Sequence, residues 1–289
     1  MGTRLSLAVC SNRPANLAGV MHLLDCVTAD DEVILVVDLP DDGYDAGTIA
    51  ALTRAGVRVV PNGDNRGLSY SRNRAMSECA NRMLVFVDDD VSLTAATVDA
   101  IRSAADAGAN IVGVWLEPAF SAPVPWFLTG GQYHYLGVHH TPNRARTWGA
   151  CMAVDVELAK DHELRFRDDL GRLGRQLQSG DDTSFIAELQ AVGADHVFLG
   201  DAVARHRVPT ERATVSYLLR RAWWQGRSEV RRGSAKPAIS KEWSRATAVG
   251  PASASTPRRL LLATAFTSAV LIGIACELAA DARARWGAE

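Results

Sequence analysis

The sequence lacks the features that mark several large classes of protein. Its five cysteines are odd in number and are scattered through the 289 residues without a C-x-x-C pair. This pattern favours neither a zinc site nor a disulfide framework, and it predicts a reducing, cytoplasmic environment. The formal net charge is −2, so the basic excess of a nucleic-acid-binding protein is missing. The first apolar run, Leu5 to Val9, is too short for a signal peptide, and no internal repeat is visible.

Hydrophobic residues are plentiful, and their spacing predicts an α/β fold. They make up 47% of the sequence against 22% charged residues, enough to bury a sizeable core. Over residues 1–110, short apolar runs without alternation are separated by helical stretches, which is typical of a parallel sheet covered on both faces. The predicted strands are Leu5–Cys10, Glu32–Asp38, Val57–Val60 and Met83–Val87, and the predicted helices are Asn16–Val27, Ala46–Ala55, Ser69–Ala80 and Leu93–Ala107.

Polar residues lie at the carboxyl ends of three of these strands. In a doubly wound sheet, ligands bind beyond the carboxyl ends of the strands. Ser11 to Arg13 and Asp88 to Asp90 come directly after predicted strands, and Asp38 is the last residue of another. We therefore expect these three groups to lie along one edge of the sheet.

Residues 111–232 form a second half with a different pattern. A strand at 111–115 precedes a proline-rich loop at 118–125, and residues 132–148 show no clear period. We predict irregular or antiparallel structure there, building a lobe over the strand ends. Further on, the pattern predicts helices at Asp181–Val192 and Val215–Arg227, a strand at His196–Leu199, and a linker at 233–257.

The C-terminal stretch, residues 258–289, contains a charge-free run from Leu260 to Cys276. At about 17 residues, this run is at the lower edge of what spans a bilayer. Arg258 and Arg259 precede it, and such a positive flank suits a membrane-seated helix. A helix packed on the domain explains the run equally well. Both interpretations stay open, with membrane contact through 258–278 being either peripheral or by a single helix.

Three consecutive carboxylates, Asp88 to Asp90, follow the apolar letters L-V-F-V. Adjacent carboxylates resist full ionisation unless a cation lies nearby. Hard oxygen ligands suit Mg²⁺ or Mn²⁺ better than zinc. On its own the triplet is weak evidence for a metal site, because a solvated turn after a strand can have the same sequence.

Three further segments favour a metal and phosphate site over a solvated turn. The first, N-R-G-L-S-Y-S-R-N-R-A at 65–75, offers a glycine for close backbone approach and several arginines at a helix start, a place for phosphate. The second, Q-S-G-D-D-T-S-F at 178–185, sets an acidic pair at a helix start. The third, A-R-H-R-V at 204–208, places one histidine after a strand.

The ordered set of motifs resembles the family 2 glycosyltransferases of GT-A fold. The set runs S-N-R-P, a strand ending in Asp38, N-R-G-L-S-Y-S-R-N, F-V-D-D-D, W-G-A-C-M-A-V, G-D-D-T-S-F and R-H-R-V, covering roughly Leu5 to Arg227. The resemblance implies a Rossmann-like, mostly parallel sheet flanked by helices. Residues 1–110 would be the nucleotide-sugar-binding half and 111–232 the acceptor-binding and catalytic half, with a C-terminal helical extension.

The resemblance also implies roles for individual residues. Asp182 matches the catalytic base, while Asp90, Asp88 and His206 match the ligands of an Mn²⁺ or Mg²⁺ ion. Trp148, Gly149 and Asp181 match the acceptor side, although Asp181 is shorter than the glutamate that is common at its position. The residues implied to bind the donor nucleotide sugar are Ser11, Arg13, Asp38, Asn65, Gly67, Arg72, Asp88 and Asp89.

The chemistry of sugar transfer fits these groups. A divalent metal stabilises a departing diphosphate, and a carboxylate at a helix N-terminus stays ionised and accepts the acceptor's proton. One base opposite the leaving group gives displacement with inversion. We therefore expect a metal-dependent, inverting glycosyltransferase of the hexosyltransferase type, cytoplasmic or at the inner face of the membrane. The acceptor (a glycan, a lipid-linked sugar or a small natural product) and the oligomeric state stay open.

Alternatives remain for the residues and for the function. Asp182 is either the base or an N-cap of its helix, and His206 is either a metal ligand or a structural histidine. A sugar-1-phosphate nucleotidyltransferase is a second function for such a fold, although the glycine-rich N-terminal loop ending in lysine is missing here. A non-catalytic nucleotide-sugar-binding protein is a third.

Overall fold

The computed structural model describes residues 2–128, 130–141, 146–233 and 256–286. Within them the chain divides into two compact units that interleave along the sequence. The first takes residues from 1–117, 142–174 and 181–206, and the second from 118–141, 175–180 and 207–289. The predicted linker at 233–257 lies almost wholly outside the described residues.

The first half of the sheet is parallel, as predicted. Strand β1 (Leu5–Ser11) lies between β2 (Glu32–Pro40) and β4 (Met83–Asp88), and β3 (Val57–Gly63) pairs with β2. Successive residues of these strands enter two separate apolar clusters. In β1, for example, Leu7 and Val9 pack on one face and Ala8 on the other. Helices therefore cover both faces, which explains the missing alternation in the sequence.

The second half of the sheet adds antiparallel strands. These are β5 (Val91–Ser92), β6 (Ile111–Phe120), β7 (Cys151–Asp155) and β8 (His196–Val208), in the sheet order β3-β2-β1-β4-β7-β6-β8-β5. β8 is longer than the predicted His196–Leu199. Ala202, Ala204, His206 and Val208 are buried while the residues between them are exposed, so its second part is a half-buried strand of period two.

Most of the helices lie at predicted positions, and one of them is of another type. The helices are α1 (Pro14–Leu17), α2 (Ala46–Arg54), α3 (Leu68–Glu78), α4 (Ala95–Asp106), α5 (Tyr133–Leu136), α6 (Val156–Asp161), α7 (Asp181–Ala191), α8 (Val215–Arg231) and α9 (Thr256–Trp286). Two short helices were not predicted, Tyr133–Leu136 and Val156–Asp161, and the first lies in the segment expected to be irregular or antiparallel. The helix predicted at Asn16–Val27 is mostly a 3-10 helix, Ala18–Asp25. Leu17, Val20, Leu23 and Cys26 are buried at intervals of three, the spacing that a three-residue turn places on one face.

In the second unit, α9 packs along α8. Leu218 and Ala222 of α8 share an apolar cluster with Phe266, Val270 and other residues of α9. Among the described residues, one helical stretch, Leu260–Arg285 within α9, is long and apolar enough to cross a membrane by length and composition alone. The predicted C-terminal helix is therefore present, and one side of it packs against α8.

Candidate active site

Asp38, at the carboxyl end of β2, organises the loop that precedes α3. Its buried carboxylate accepts hydrogen bonds from Asn62 Nδ2 (2.8 Å) and from the backbone N–H groups of Arg66 (2.8 Å) and Gly67 (2.9 Å). Asn65 adds a hydrogen bond from its Nδ2 to the Asp38 carbonyl. Asp38 thus shapes the N-R-G loop, and its contact with a nucleotide base stays a prediction.

Gly67 begins α3 in a conformation that favours glycine. Its φ is 96°, and a Cβ there would lie 3.2 Å from the Arg172 carbonyl oxygen. That same carbonyl accepts the Leu68 N–H at 2.8 Å. A side chain at Gly67 would therefore strain the backbone and press on the loop that closes the start of α3.

The aspartate triplet meets Ser11 and Arg13 at the sheet edge. Cys10 of β1 pairs in register with Asp88 of β4, so the residues that follow these strands are neighbours. Arg13 Nη1 lies 3.2 Å from Asp89 Oδ1 and 2.9 Å from Asp90 Oδ2, and Ser11 Oγ donates to Asp89 Oδ2. The predicted meeting of these groups is present, and Arg13 supplies a positive partner for the triplet.

Like-charge repulsion persists at Asp89 in spite of Arg13. Burial raises the pKa of Asp89 above its ordinary value, and the neighbouring Asp90 raises it further, while Arg13 opposes both effects. In such a buried place, the Arg13 guanidinium compensates this carboxylate only in part. Further positive charge at this edge would relieve the triplet.

Asp90 and His206 come together through strand pairing. His206 of β8 lies opposite Val91 of β5 in the antiparallel register, directly after Asp90. His206 Nε2 is 3.1 Å from Asp90 Oδ1, and both side chains are buried, at 5% and 4% exposure. A carboxylate oxygen is a ligand that suits Mn²⁺ and Mg²⁺, and an imidazole nitrogen beside it is a second donor for a divalent metal ion.

Asp88 does not join that pair in a three-ligand cluster. Among the described residues, no group of three or more His, Cys, Asp or Glu side chains is arranged to hold a metal ion. Mg²⁺ and similar ions are often held by one or two protein ligands with phosphates completing the shell. The residues present therefore fit a metal that binds together with a diphosphate, rather than an all-protein metal site.

Arg72 of α3 connects the two acidic motifs. Its guanidinium is 4% exposed and lies 2.5 Å from Asp181 Oδ2 and 3.4 Å from Asp88 Oδ1. Nη2 also donates to the Gly149 carbonyl at 2.8 Å. One buried cation thus joins the end of β4, the start of α7 and the W-G-A turn, and both Arg72 and Asp181 have structural partners.

Asp182 is held in its ionised form. Its Oδ2 accepts the Gly149 N–H at 2.8 Å, and its Oδ1 accepts the Thr183 N–H at 2.6 Å. Burial by itself raises the pKa of Asp182, but the charges of Arg146 and Arg72 and these backbone donors outweigh burial and hold the pKa below its ordinary value. Burial and the adjacent Asp182 charge raise the pKa of Asp181. Of the acidic pair, Asp182 is therefore the stronger candidate for an ionised carboxylate that can accept a proton.

Arg146 is a site residue that sequence reasoning missed. Its guanidinium lies 4.0 Å from the centre of the Trp148 ring, and its Nη2 donates to Thr183 Oγ1 at 2.8 Å. The signal was a basic residue two positions before the W-G-A motif. Because Trp148 and Cys151 form a β-bridge, the turn between them is tight and carries Gly149 to Asp182.

We expect Gly149→Ala to disturb this arrangement. A Cβ at Gly149 would lie 2.7 Å from both terminal nitrogens of Arg72, which is held by three partners. Overpacking of this kind costs about 1–3 kcal/mol, measured as a loss of unfolding free energy in urea. Gly19→Ala is the matched control, since no atom lies within 4 Å of its added Cβ. Equal stability of the two variants would contradict the tight turn.

In the second unit, α8 holds the segment that leads into α7. Arg220 donates to the Arg175 carbonyl, Arg221 to the Leu177 carbonyl, and the Ser179 N–H to Ser228 Oγ. Residues 175–180 are thus fixed at three points directly before the acidic pair.

Comparison with known proteins identifies the family. The family model described as Glycosyl transferase family 2 matches residues 9–161, just over half of the 289 residues. The chain belongs to glycosyl transferase family 2. The family and the enzyme class expected from the motifs are therefore confirmed: this protein is a glycosyltransferase.

Two curated relatives of this family 2 glycosyltransferase match most of its length. The succinoglycan biosynthesis protein ExoM of Rhizobium meliloti is 23% identical over 236 residues, covering 78% of this chain and 74% of the relative. The glucosyl-dolichyl phosphate glucuronosyltransferase of Haloferax volcanii is 23% identical over 243 residues, covering 78% and 76%. By name, the first is a protein of succinoglycan biosynthesis and the second is a glucuronosyltransferase.

Two solved structures share the fold of this family 2 glycosyltransferase. The mannosyltransferase PcManGT from Pyrobaculum calidifontis, in complex with GDP-Man and Mn²⁺, aligns with a TM-score of 0.60 and 17% identity over 96% of this chain and 88% of that one. TarS 1–349 of S. aureus with UDP aligns at 0.52 and 17%, over 96% and 91%. The expected GT-A type fold is confirmed.

Proposed function

We propose that this glycosyltransferase transfers a sugar from a nucleoside-diphosphate sugar to a hydroxyl group of its acceptor, with inversion at the anomeric carbon. The observation that carries the proposal is the position of Arg72. It lies between Asp88, which ends the strand of the D-D-D motif, and Asp181, which precedes the ionised Asp182. A donor-side and a base-side carboxylate are thus held next to one buried cation.

Asp182 is the proposed base. The reaction forms a bond between the acceptor oxygen and the anomeric carbon and breaks the bond from that carbon to the diphosphate. The proton of the acceptor hydroxyl moves to Asp182, which the charges of Arg146 and Arg72 keep ionised. A base with a low pKa removes the proton late, when bond formation has already made the acceptor oxygen acidic.

The donor is proposed to bind at the shared edge of β1 and β4. Ser11 and Asp88 end β1 and β4, Arg13, Asp89 and Asp90 follow these strands, and Asn65 and Gly67 precede α3. Asp90 and His206 would hold an Mn²⁺ or Mg²⁺ ion, in agreement with the Mn²⁺ and GDP-Man in the mannosyltransferase of similar fold. Such an ion supplies neutralisation of the departing diphosphate. Arg13 is already paired with Asp89 and Asp90 and is placed to contact phosphate as well.

The acceptor is proposed to bind beside the W-G-A turn. Trp148 offers an aromatic ring, and the Arg146 guanidinium lies over one side of it at 4.0 Å from the ring centre. Gly149 presents its backbone to Asp182. The glycan-assembly relatives favour a sugar acceptor, in free, polymeric or lipid-linked form, over a small natural product. Nucleoside-diphosphate sugars are cytoplasmic metabolites, so we place the enzyme in the cytoplasm or at the inner face of the membrane.

A donor panel tests the proposal directly. Purified protein is incubated with Mn²⁺ and UDP, GDP or dTDP sugars, and sugar release and thermal unfolding are both measured. A ligand that binds the native state raises the melting temperature with concentration. We expect the sugar donors of one nucleotide to raise the melting temperature of the protein, and one of them to release its sugar slowly by hydrolysis. Stabilisation without turnover on any acceptor would instead indicate a binding protein. Formation of nucleotide sugar from sugar-1-phosphate would indicate a nucleotidyltransferase.

Asp90→Ala tests the metal-binding part. We expect this variant to lose the Mn²⁺-dependent portion of the thermal stabilisation by the nucleoside diphosphate, because one of two protein donors is gone. The readout needs no catalysis. Asp99→Ala, on the exposed face of α4, is the control and should keep the full stabilisation. An unchanged Mn²⁺ effect in Asp90→Ala would remove Asp90 from the metal site.

A further inference from the structure

One face of α9 is fixed tightly to α8 within the second unit. A Cβ at Gly273 would overlap the Trp223 carbonyl oxygen, and one at Gly226 would overlap that of Val270. Two glycines therefore let the helix backbones approach closely, and Phe266 and Val270 fill the contact beside them. This face of α9 is therefore buried against α8 of the same chain.

The same face contains a buried ionic cluster. Glu277 is 3% exposed and accepts hydrogen bonds from Arg227 and Arg231 of α8. Breaking such a buried cluster by removing one partner is strongly destabilising. α9 therefore stays attached to α8 in the folded protein.

The opposite face of α9 is apolar and exposed. Leu261, Leu271 and Ile272 are exposed to 71%, 42% and 57%, although each has a large hydrophobic side chain. The other exposed positions between 260 and 276 carry Leu, Thr, Ser, Ala or Cys, and none is charged. A surface helix that faces water normally has charged residues on that side, so an apolar medium is expected to cover this face.

Charged and aromatic residues frame the apolar face. Arg258 is exposed before it, and Arg283 and Arg285 are exposed after it. Trp126, which is 51% exposed, lies with its ring 5.7 Å from the Arg258 guanidinium carbon. Arginine and tryptophan beside an apolar helix face match the headgroup region of an anionic bilayer.

We propose that α9 lies in the plane of an anionic membrane surface, with Leu261, Leu271 and Ile272 in the acyl boundary, and does not span the bilayer. A spanning α9 would carry α8 with it, because the two are joined through Glu277. α8 contains Arg220, Arg221, Arg227 and Arg231, and such residues are very costly in the hydrocarbon core. The inference is independent of the catalytic proposal.

Vesicle co-sedimentation of the full chain tests it. The probes are phosphatidylcholine vesicles with and without phosphatidylglycerol, and the variants are Leu261→Glu, Ile272→Glu and the double variant. We expect the wild type to pellet with anionic vesicles and each substitution to weaken binding about tenfold, since each removes one buried large apolar side chain. Met21→Glu, at a residue 39% exposed in the first unit, adds the same charge elsewhere and should bind as the wild type does.

Three outcomes would overturn the proposal. Wild-type protein that stays in the membrane fraction of cells after alkaline carbonate washing would show a spanning helix. No binding to anionic vesicles, combined with a dimer that Ile272→Glu dissociates in light scattering, would show that a second copy covers the face. Equal binding by the wild type and the double variant would exclude this face as the contact. Circular dichroism and thermal unfolding verify that each variant is folded.

Discussion

Asp182→Asn should lower kcat by about 10²–10⁴-fold, the range that general-base catalysis contributes, while donor binding is retained. The amide keeps the size of the carboxylate and one oxygen that accepts the Gly149 N–H, so the turn at 148–150 should survive. The charge that accepts the proton is lost. Steady-state kinetics with the donor found in the panel, together with nucleotide binding by thermal shift, gives both quantities.

Asp168→Asn is the matched control for this substitution. Asp168 and Asp169 form a second adjacent acidic pair in the chain, and Asp168 is exposed. We expect its kcat to be unchanged. Wild-type kcat in Asp182→Asn, with the control also unchanged, would contradict Asp182 as the base and leave its hydrogen bonds to Gly149 and Thr183 as its only role.

The pH dependence of kcat follows from the same carboxylate. The pKa of Asp182 in the folded protein lies below its ordinary value of 3.8. The base is therefore ionised at neutral pH and is lost only as the pH falls through that lowered value. The stability that its partners provide is present above the unfolded pKa and is lost over the same acidic range. We expect no acidic limb in kcat above the ordinary pKa of an aspartate.

Arg72→Met should be the most destabilising substitution in the site, by about 3–5 kcal/mol of unfolding free energy. It removes the guanidinium that lies between Asp88 and Asp181 and leaves Asp181, with a side chain that is 6% exposed, as a buried charge without that partner. The pKa of Asp181 is already raised by burial, so we expect it to become protonated in the variant. Urea unfolding monitored by circular dichroism measures the loss.

Two further variants separate charge loss from packing at this position. Arg74→Met lies on the same helix with a 45% exposed side chain and should change stability by less than about 0.5 kcal/mol. Arg72→Met combined with Asp181→Asn removes both buried charges and should recover part of the stability. No recovery in the double variant would mean that Arg72 stabilises the fold through its other contacts. These are the Gly149 carbonyl and the rings of Phe86 and Phe166, whose centres lie 5.7 and 5.5 Å from the guanidinium carbon.

Local patterns in the sequence were sufficient to predict the parallel half of the sheet and to identify the ordered motifs. The apolar runs of β1, β2 and β4 gave the strands, and the residues that follow them met at one edge as expected. The same local signals underestimated β8. In its second part, buried residues alternate with exposed ones, and two of the buried residues are alanines. Because alanine is only weakly hydrophobic, a segment of this kind resembles a loop in the sequence.

The partners of the charged residues were not predictable in the same way. The Arg72 and Asp181 side chains that meet in the structure are 109 positions apart. The family resemblance gave Arg72 a donor-binding role, but nothing in the sequence near it indicated Asp181 as its partner. Arg13 was expected to bind the donor, which stays a prediction, and its pairing with Asp89 and Asp90 was not foreseen. Arg146 was not singled out, because its role depends on a turn that brings Gly149 to Asp182.

The sequence by itself determined the fold class, the family and the acidic motifs, because strand and helix periodicity and motif order are carried by residues close together in the chain. Only the tertiary structure decided which carboxylate stays ionised, which arginine joins the two acidic motifs, and how α9 packs on α8. Those outcomes depend on burial and on distances between charges on separate elements. Electrostatic energies change steeply with both quantities, and neither can be read from neighbouring letters.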